Sequence, residues 1–86
     1  MNNTKIARLR ILNEKGLHAR AAAKFVELVD KFDVNVVVKK DSLEASGDSI
    51  MGLLMLGACK GSEIDLVLSG KQSEDTLMIL SPLASK

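Results

Sequence analysis

Aromatic side chains are nearly missing from this chain, which has two phenylalanines and neither tryptophan nor tyrosine. Without such rings there is no platform on which bases could stack. Twelve basic residues against eleven acidic ones, a net charge of +1, leave no field that would gather a polyanion by counterion release. Nucleic acid is thereby excluded as a partner. The single cysteine, Cys59, cannot close an internal disulfide, and its expected place is the interior, as a small apolar residue. No apolar run approaches the roughly 20 residues that span a bilayer, and the opening residues 1–5 carry no apolar signal region. The expectation is a protein of the reducing cytoplasm that makes no membrane contact.

What the chain does hold is patterning. Its 86 residues, 47% hydrophobic and 27% charged, suit one folded domain over 1–86. Residues 6–12 alternate, with Ala7, Leu9 and Ile11 on one face and Arg8 and Arg10 on the other, the period of a half-buried strand. After a turn at residues 13–16 the spacing changes to three and four. Ala22, Phe25, Val26, Val29 and Phe32 then share a face, opposite Lys24, Glu27, Asp30 and Lys31, which predicts a helix over 19–31. The β-branched stretch 34–39 predicts a second strand, and a turn at 40–42 leads to a weaker third at 43–45. Ser49 is suited to cap a short helix through Leu56 that Gly57 ends. A fourth strand over 62–69 turns Ile64, Leu66 and Leu68 inward. The last helix is expected to be capped at Ser73, to carry Glu74 and Asp75 in its first turn, and to end or kink near Ser81, ahead of Pro82. The order is βαββαβα, an α+β domain in two layers with its helices on one face of a mainly antiparallel sheet.

In the short helix every residue between Ile50 and Leu56 except Gly52 is apolar. One face of so short a helix can reach the core, and Leu53 and Leu56 fill it. Ile50, Met51 and Leu54 are then left at the surface, where adaptable side chains suit contact with partners. Burial on every side is the alternative for an all-apolar helix.

The only histidine, His18, stands where the first strand gives way to the first helix, within Gly16-Leu17-His18-Ala19-Arg20. The first amides of a helix lack intrahelical acceptors, so they point at whatever occupies its mouth. A dianion on His18 would take those hydrogen bonds, gain from the helix dipole and meet the charge of Arg20. The same field disfavours the imidazolium form and so favours a ring with a nucleophilic nitrogen. A histidine at a helix start is otherwise ordinarily a solvated cap without chemistry.

Two further segments, residues 48–57 and Lys60-Gly61-Ser62-Glu63-Ile64, follow in order. With the first they resemble the phosphocarrier family HPr, whose pattern is Gly-(Leu/Ile/Met)-His-(Ala/Thr)-Arg-Pro-Ala, then a Ser-Ile-Met-Gly-like helix, then a Lys-Gly-(Ser/Ala)-Glu-Ile strand entry. The resemblance implies an open-faced β-sandwich with strand order 1-4-2-3 and three helices on one face. It also implies a protein that takes a phosphoryl group from enzyme I of the phosphoenolpyruvate:sugar phosphotransferase system and hands it to enzyme II A components, an intermediate in transfer and not a stand-alone catalyst. By position His18 is the acceptor, through Nδ1, and Arg20 steadies the phosphoryl group. Ser49 falls where relatives have a serine modified by an HPr serine kinase/phosphorylase. Ala19, Ala23, Ile50, Met51 and Leu54 fall on the docking surface of a monomer that needs no metal and no cofactor.

Three departures bear on that reading. Ala21 replaces the proline of the signature, restoring an amide N–H and releasing a fixed φ. The restored donor either serves the phosphoryl group or comes with a looser turn around His18. Asp48 precedes Ser49 where kinase-regulated relatives often have a basic residue. Glu27 and Asp30 add acid near a docking face that is often more basic. A nitrogen-branch or purely regulatory role, with Ser49 and the apolar helix as the working surface, is therefore the second hypothesis. A ferredoxin-like RNA or small-molecule module is the third, and it lacks the aromatic platform and basic stripe it would need.

Overall fold

The computed structural model describes residues 4–85, so residues 1–3 of the opening stretch lie outside it. Seven elements follow one another: β1 (Thr4–Arg10), α1 (Ala19–Asp30), β2 (Asn35–Lys40), β3 (Leu43–Ser46), α2 (Ile50–Met55), β4 (Glu63–Ser69) and α3 (Ser73–Ser85). The four strands form one sheet in the order β1-β4-β2-β3, antiparallel at every junction. β4 is thus central, paired with β1 from Thr4↔Ser69 to Arg10↔Glu63 and with β2 from Asn35↔Ser69 to Lys39↔Asp65. Helices α1, α2 and α3 cover one face of this sheet in an open-faced sandwich, which is the architecture and strand order expected.

Period-two alternation decides which side chains meet the helices. Ile64, Leu66 and Leu68 of β4 and Val36 and Val38 of β2 are buried against Phe25 and Val29 of α1, Leu53 of α2 and Leu80 of α3. Withdrawing each large apolar side chain from water contributes about 1.5–3 kcal/mol. The opposite face carries charge. Arg8 Nε donates to Asp65 Oδ1 at 2.8 Å, Arg10 lies 3.4 Å from Glu63, and Lys39 lies 3.9 Å from Glu44. Exposed pairs of this kind contribute about 0–1 kcal/mol each, so the helix-covered face holds the fold together while the charged face keeps the sheet wettable.

Two expectations about α3 are corrected. The helix begins at Ser73 itself, which moves the cap to Gln72, whose carbonyl takes the Thr76 amide at 2.9 Å. Ser73 is buried and donates its hydroxyl back to the Gly70 carbonyl. The reason lies outside the segment: Gln72 N donates to Asp33 O, and Gln72 Oε1 accepts the Asp33 amide at 2.7 Å, a reciprocal clasp to the end of α1 that starts the helix one residue early. Pro82 does not end the helix, which runs on to Ser85. The proline stands near the helix end, with Leu83, Ala84 and Ser85 the helical residues after it, and the turn before it is held by Ser81 Oγ on the Leu77 carbonyl at 2.8 Å.

The bidentate Arg8 guanidinium holds the Asp65 carboxyl below its ordinary range, first through the hydrogen bond and then through charge. A carboxylate with a depressed folded-state pKa adds stability above its unfolded value and loses it as pH falls through the folded one. Urea midpoints of wild type and Asp65→Asn should therefore differ at pH 7 and converge as pH falls below the ordinary carboxylate range; a gap that persists in strong acid would mean that Asp65 acts by packing rather than by charge.

Candidate functional site

The residue directly before α1 is not Ser, Thr, Asp or Asn but His18, which takes the place of the N-cap with extended backbone at φ −87° and ψ −179°. Its carbonyl accepts the first intrahelical bond, from the Ala22 amide at 2.8 Å. Its side chain acts as a serine or aspartate cap would: Nδ1 accepts the Ala21 amide at 3.1 Å. An imidazole nitrogen accepts through a free lone pair, so in this pose the neutral ring carries its proton on Nε2 and leaves Nδ1 bare. His18 is half-buried.

The loop that delivers His18 is anchored on the segment after α2. Ile11 N donates to Ser62 O and Gly61 N to Ile11 O, both at 2.8 Å, which continues the β1–β4 pairing beyond the strands. Leu17 N then donates to Ala58 O at 2.9 Å. Gly16, buried at φ +66°, makes this approach possible, because a Cβ there would lie 2.5 Å from Ala58 O and 2.7 Å from Cys59 Cα. Lys60 Nζ closes the loop's outer side on Glu14 at 2.8 Å. Cys59 is exposed, contrary to the interior place expected of it, because its backbone is the floor under Gly16 and its thiol turns outward to lie 3.5 Å from Ser62 Oγ.

Arg20 stands exposed in the first turn of α1, and among the described residues its guanidinium has neither a hydrogen bond nor an ion pair. Ala19 and Ala23 are exposed on the same helix. On α2, Ser49 is the N-cap, Oγ accepting the Gly52 amide at 3.0 Å. Leu53 and Leu56 are buried, as expected, while Ile50 and Met51 are 39% and 69% exposed. Leu54 differs from expectation: it is half-buried and packs against the core. Met55, one turn on from Met51 and 77% exposed, takes its place at the surface. The spacing of four between the two methionines was the available signal. α1 packs beside α2; the start of α1 meets the segment after α2 through Leu17 N on Ala58 O, while the residues before α2, Ser46 and Asp48, share a cavity with Val29, Asp30 and Phe32 at the far end of α1. Among the described residues no group of three or more His, Cys, Asp or Glu could hold a metal ion, and no helix is long and apolar enough to cross a membrane.

A four-stranded open-faced sandwich with a histidine as the cap of its first helix and a short apolar helix beside it defines a class, the small histidine-bearing phosphocarriers. The family model described as the PTS HPr component phosphorylation site matches residues 6–86. The phosphocarrier protein HPr of Neisseria meningitidis serogroup A is 40% identical over 75 residues, covering 87% of this chain and 84% of that protein. The phosphocarrier protein NPr of Escherichia coli K12 is 40% identical over 70 residues, covering 80% and 78%. The crystal structure of an HPr from Bacillus anthracis superposes with a TM-score of 0.91 at 29% identity, over 96% of this chain and 99% of that one. The chain belongs to the HPr family of phosphotransferase-system phosphocarriers.

Gly16 offers a direct check on how the loop is held. Gly16→Ala must move the backbone of Ala58 or abandon the positive φ, and the expected loss, read by thermal or urea unfolding, is at least about 1 kcal/mol. Changed amide shifts at both Leu17 and Ala58 should accompany it, and a variant as stable as wild type with those shifts unmoved would show that the loop is fixed elsewhere.

Proposed function

We propose that His18 accepts a phosphoryl group from phospho-enzyme I on Nδ1 and passes it to enzyme II A components. The observation that carries this is the pose of the ring: Nδ1 is bare of hydrogen and faces the mouth of α1, with the unpaired Arg20 guanidinium two residues on. Free amides and one arginine suit a modest well for a phosphoryl dianion. A deeper one would hold the group against onward transfer. Ala19, Ala23, Ile50 and Met51, with Met55 added, form the docking face in this reading, while Leu54 contributes from a half-buried position. The reading takes the chain as one domain over 1–86, a cytoplasmic monomer that needs no cofactor.

Ser49 is the proposed point of regulation, by an HPr serine kinase/phosphorylase. Phosphate there would sit on the start of α2, where charge is tolerated, and would set a dianion beside Ile50 and Met51, weakening docking without unfolding the helix. A second reading, service to a nitrogen branch in place of sugar uptake, draws on the likeness to an NPr, 40% identical like the HPr though over a slightly shorter stretch.

Intact mass after incubation with phosphoenolpyruvate and a competent enzyme I tests the main reading. One acid-labile phosphoryl group is expected on wild type and on Ser49→Ala, and none on His18→Ala. A folded wild type that remains unmodified would overturn it and shift attention to Ser49 with ATP and a kinase.

A further inference from the structure

The residue after Arg20 separates this chain from the signature that it otherwise matches. A proline there has no N–H to give. Ala21 has one, and it is neither idle nor turned to solvent: it donates to Nδ1 of His18, the atom that is to carry the phosphoryl group. We propose that the Ala21 amide is a positioning group that exchanges acceptors during transfer, holding Nδ1 in the resting carrier and a phosphoryl oxygen in the charged one. This rests on the reading of His18 as the acceptor.

In the resting protein the hydrogen bond demands a lone pair on Nδ1 and so selects the tautomer protonated on Nε2. That is the tautomer able to attack through Nδ1. At the same time the amide occupies the lone pair, and attack requires that it let go. The Nδ1 pair then forms the new N–P bond while the bond from phosphorus to the donor atom of phospho-enzyme I breaks, its electrons returning to that atom. His18 keeps its Nε2 proton, so no base is needed on the carrier. The Ala21 N–H, displaced from nitrogen, has phosphoryl oxygens beside it in place of the one acceptor it lost. A hydrogen bond to an ionised oxygen is roughly twice as strong as one between neutral groups, so the exchange favours the charged carrier.

The alternative is that Nδ1 is an inert cap and residue 21 only shapes the turn. Ala21→Pro and Ala21→Gly separate the two. Proline deletes the donor, and because the amide at this position has no backbone acceptor within the helix, the first such bond being Ala22 N to His18 O, it costs no intrahelical hydrogen bond. Glycine keeps the donor while loosening φ.

The experiment uses nitrogen-15 protein at about pH 8. A nitrogen–nitrogen coupling across the hydrogen bond, from the Ala21 amide to His18 Nδ1, is expected in wild type and, from residue 21, in Ala21→Gly. On phosphorylation the coupling should vanish while the residue 21 amide proton moves downfield. Equilibrium phosphorylation against a fixed phosphoenolpyruvate to pyruvate ratio with enzyme I should be roughly three- to tenfold lower for Ala21→Pro than for wild type, with Ala21→Gly near wild type. No coupling in the resting protein, or Ala21→Pro matching wild type at equilibrium, overturns the proposal. Because the coupling is read before any phosphoryl donor is added, a wild type that shows it yet accepts no group overturns the carrier reading and the exchange with it, and leaves the resting clasp standing as a structural cap alone.

Discussion

The backbone bond from Leu17 N to Ala58 O, 2.9 Å long and made over a side-chain-free Gly16, is the join on which the site depends. Three elements meet at it: the end of β1, the start of α1 and the segment between α2 and β4. It exists because β4 lies between β1 and β2, which brings residues 57–62 alongside the end of β1. Sheet order thus sets loop contact, loop contact sets the entry angle of α1, and the entry angle puts an imidazole where a serine cap would ordinarily stand. None of these steps involves a buried charge. The site is made from backbone donors and the absence of one side chain, while the ion pair of Glu14 with Lys60 outside it adds at most about 1 kcal/mol.

α1 and α2 solve the problem of their orphan amides in the same way. Each lacks acidic residues in its first turn and is capped by a side chain accepting the amide three residues on, His18 from Ala21 and Ser49 from Gly52. Both acceptors are groups that can carry phosphate, in the proposed scheme one for transfer and the other for control. A phosphate in either place would present oxygens to amides already aimed at the mouth of the helix, so each cap can change its chemistry without surrendering its structural task.

Periodicity made the seven elements and most of the core legible, because those depend on short-range spacing and burial. Leu53, Leu56, Ile64, Leu66 and Leu68 all lie where their spacing placed them. Strand order was not readable from spacing and came from the resemblance to HPr. What could not be read was set by partners distant in the chain. Gln72 moved the start of α3 because Asp33 is its neighbour in space, Cys59 faces solvent because its backbone lies under Gly16, and Leu54 turned inward where Met55 turned outward. At the site, the motif marked His18 and Arg20, and Ala21 was recognisable as a restored donor. That its acceptor in the resting protein is Nδ1 follows only from the fold.

The sheet order also determines which strands are left with one open side. β1 and β3 are the edges, and an open edge is a template on which a foreign strand can add and an aggregate can grow. β3 offers four residues and carries Glu44, a short and charged invitation. β1 is longer, but Arg8 and Arg10 are spaced along it and are already paired inward to Asp65 and Glu63 of β4. An incoming strand would have to fit its side chains around two guanidinium groups that Asp65 and Glu63 already satisfy, and would gain no new charge partner from them. The charged face that contributes little to folding therefore guards the sheet against growing sideways.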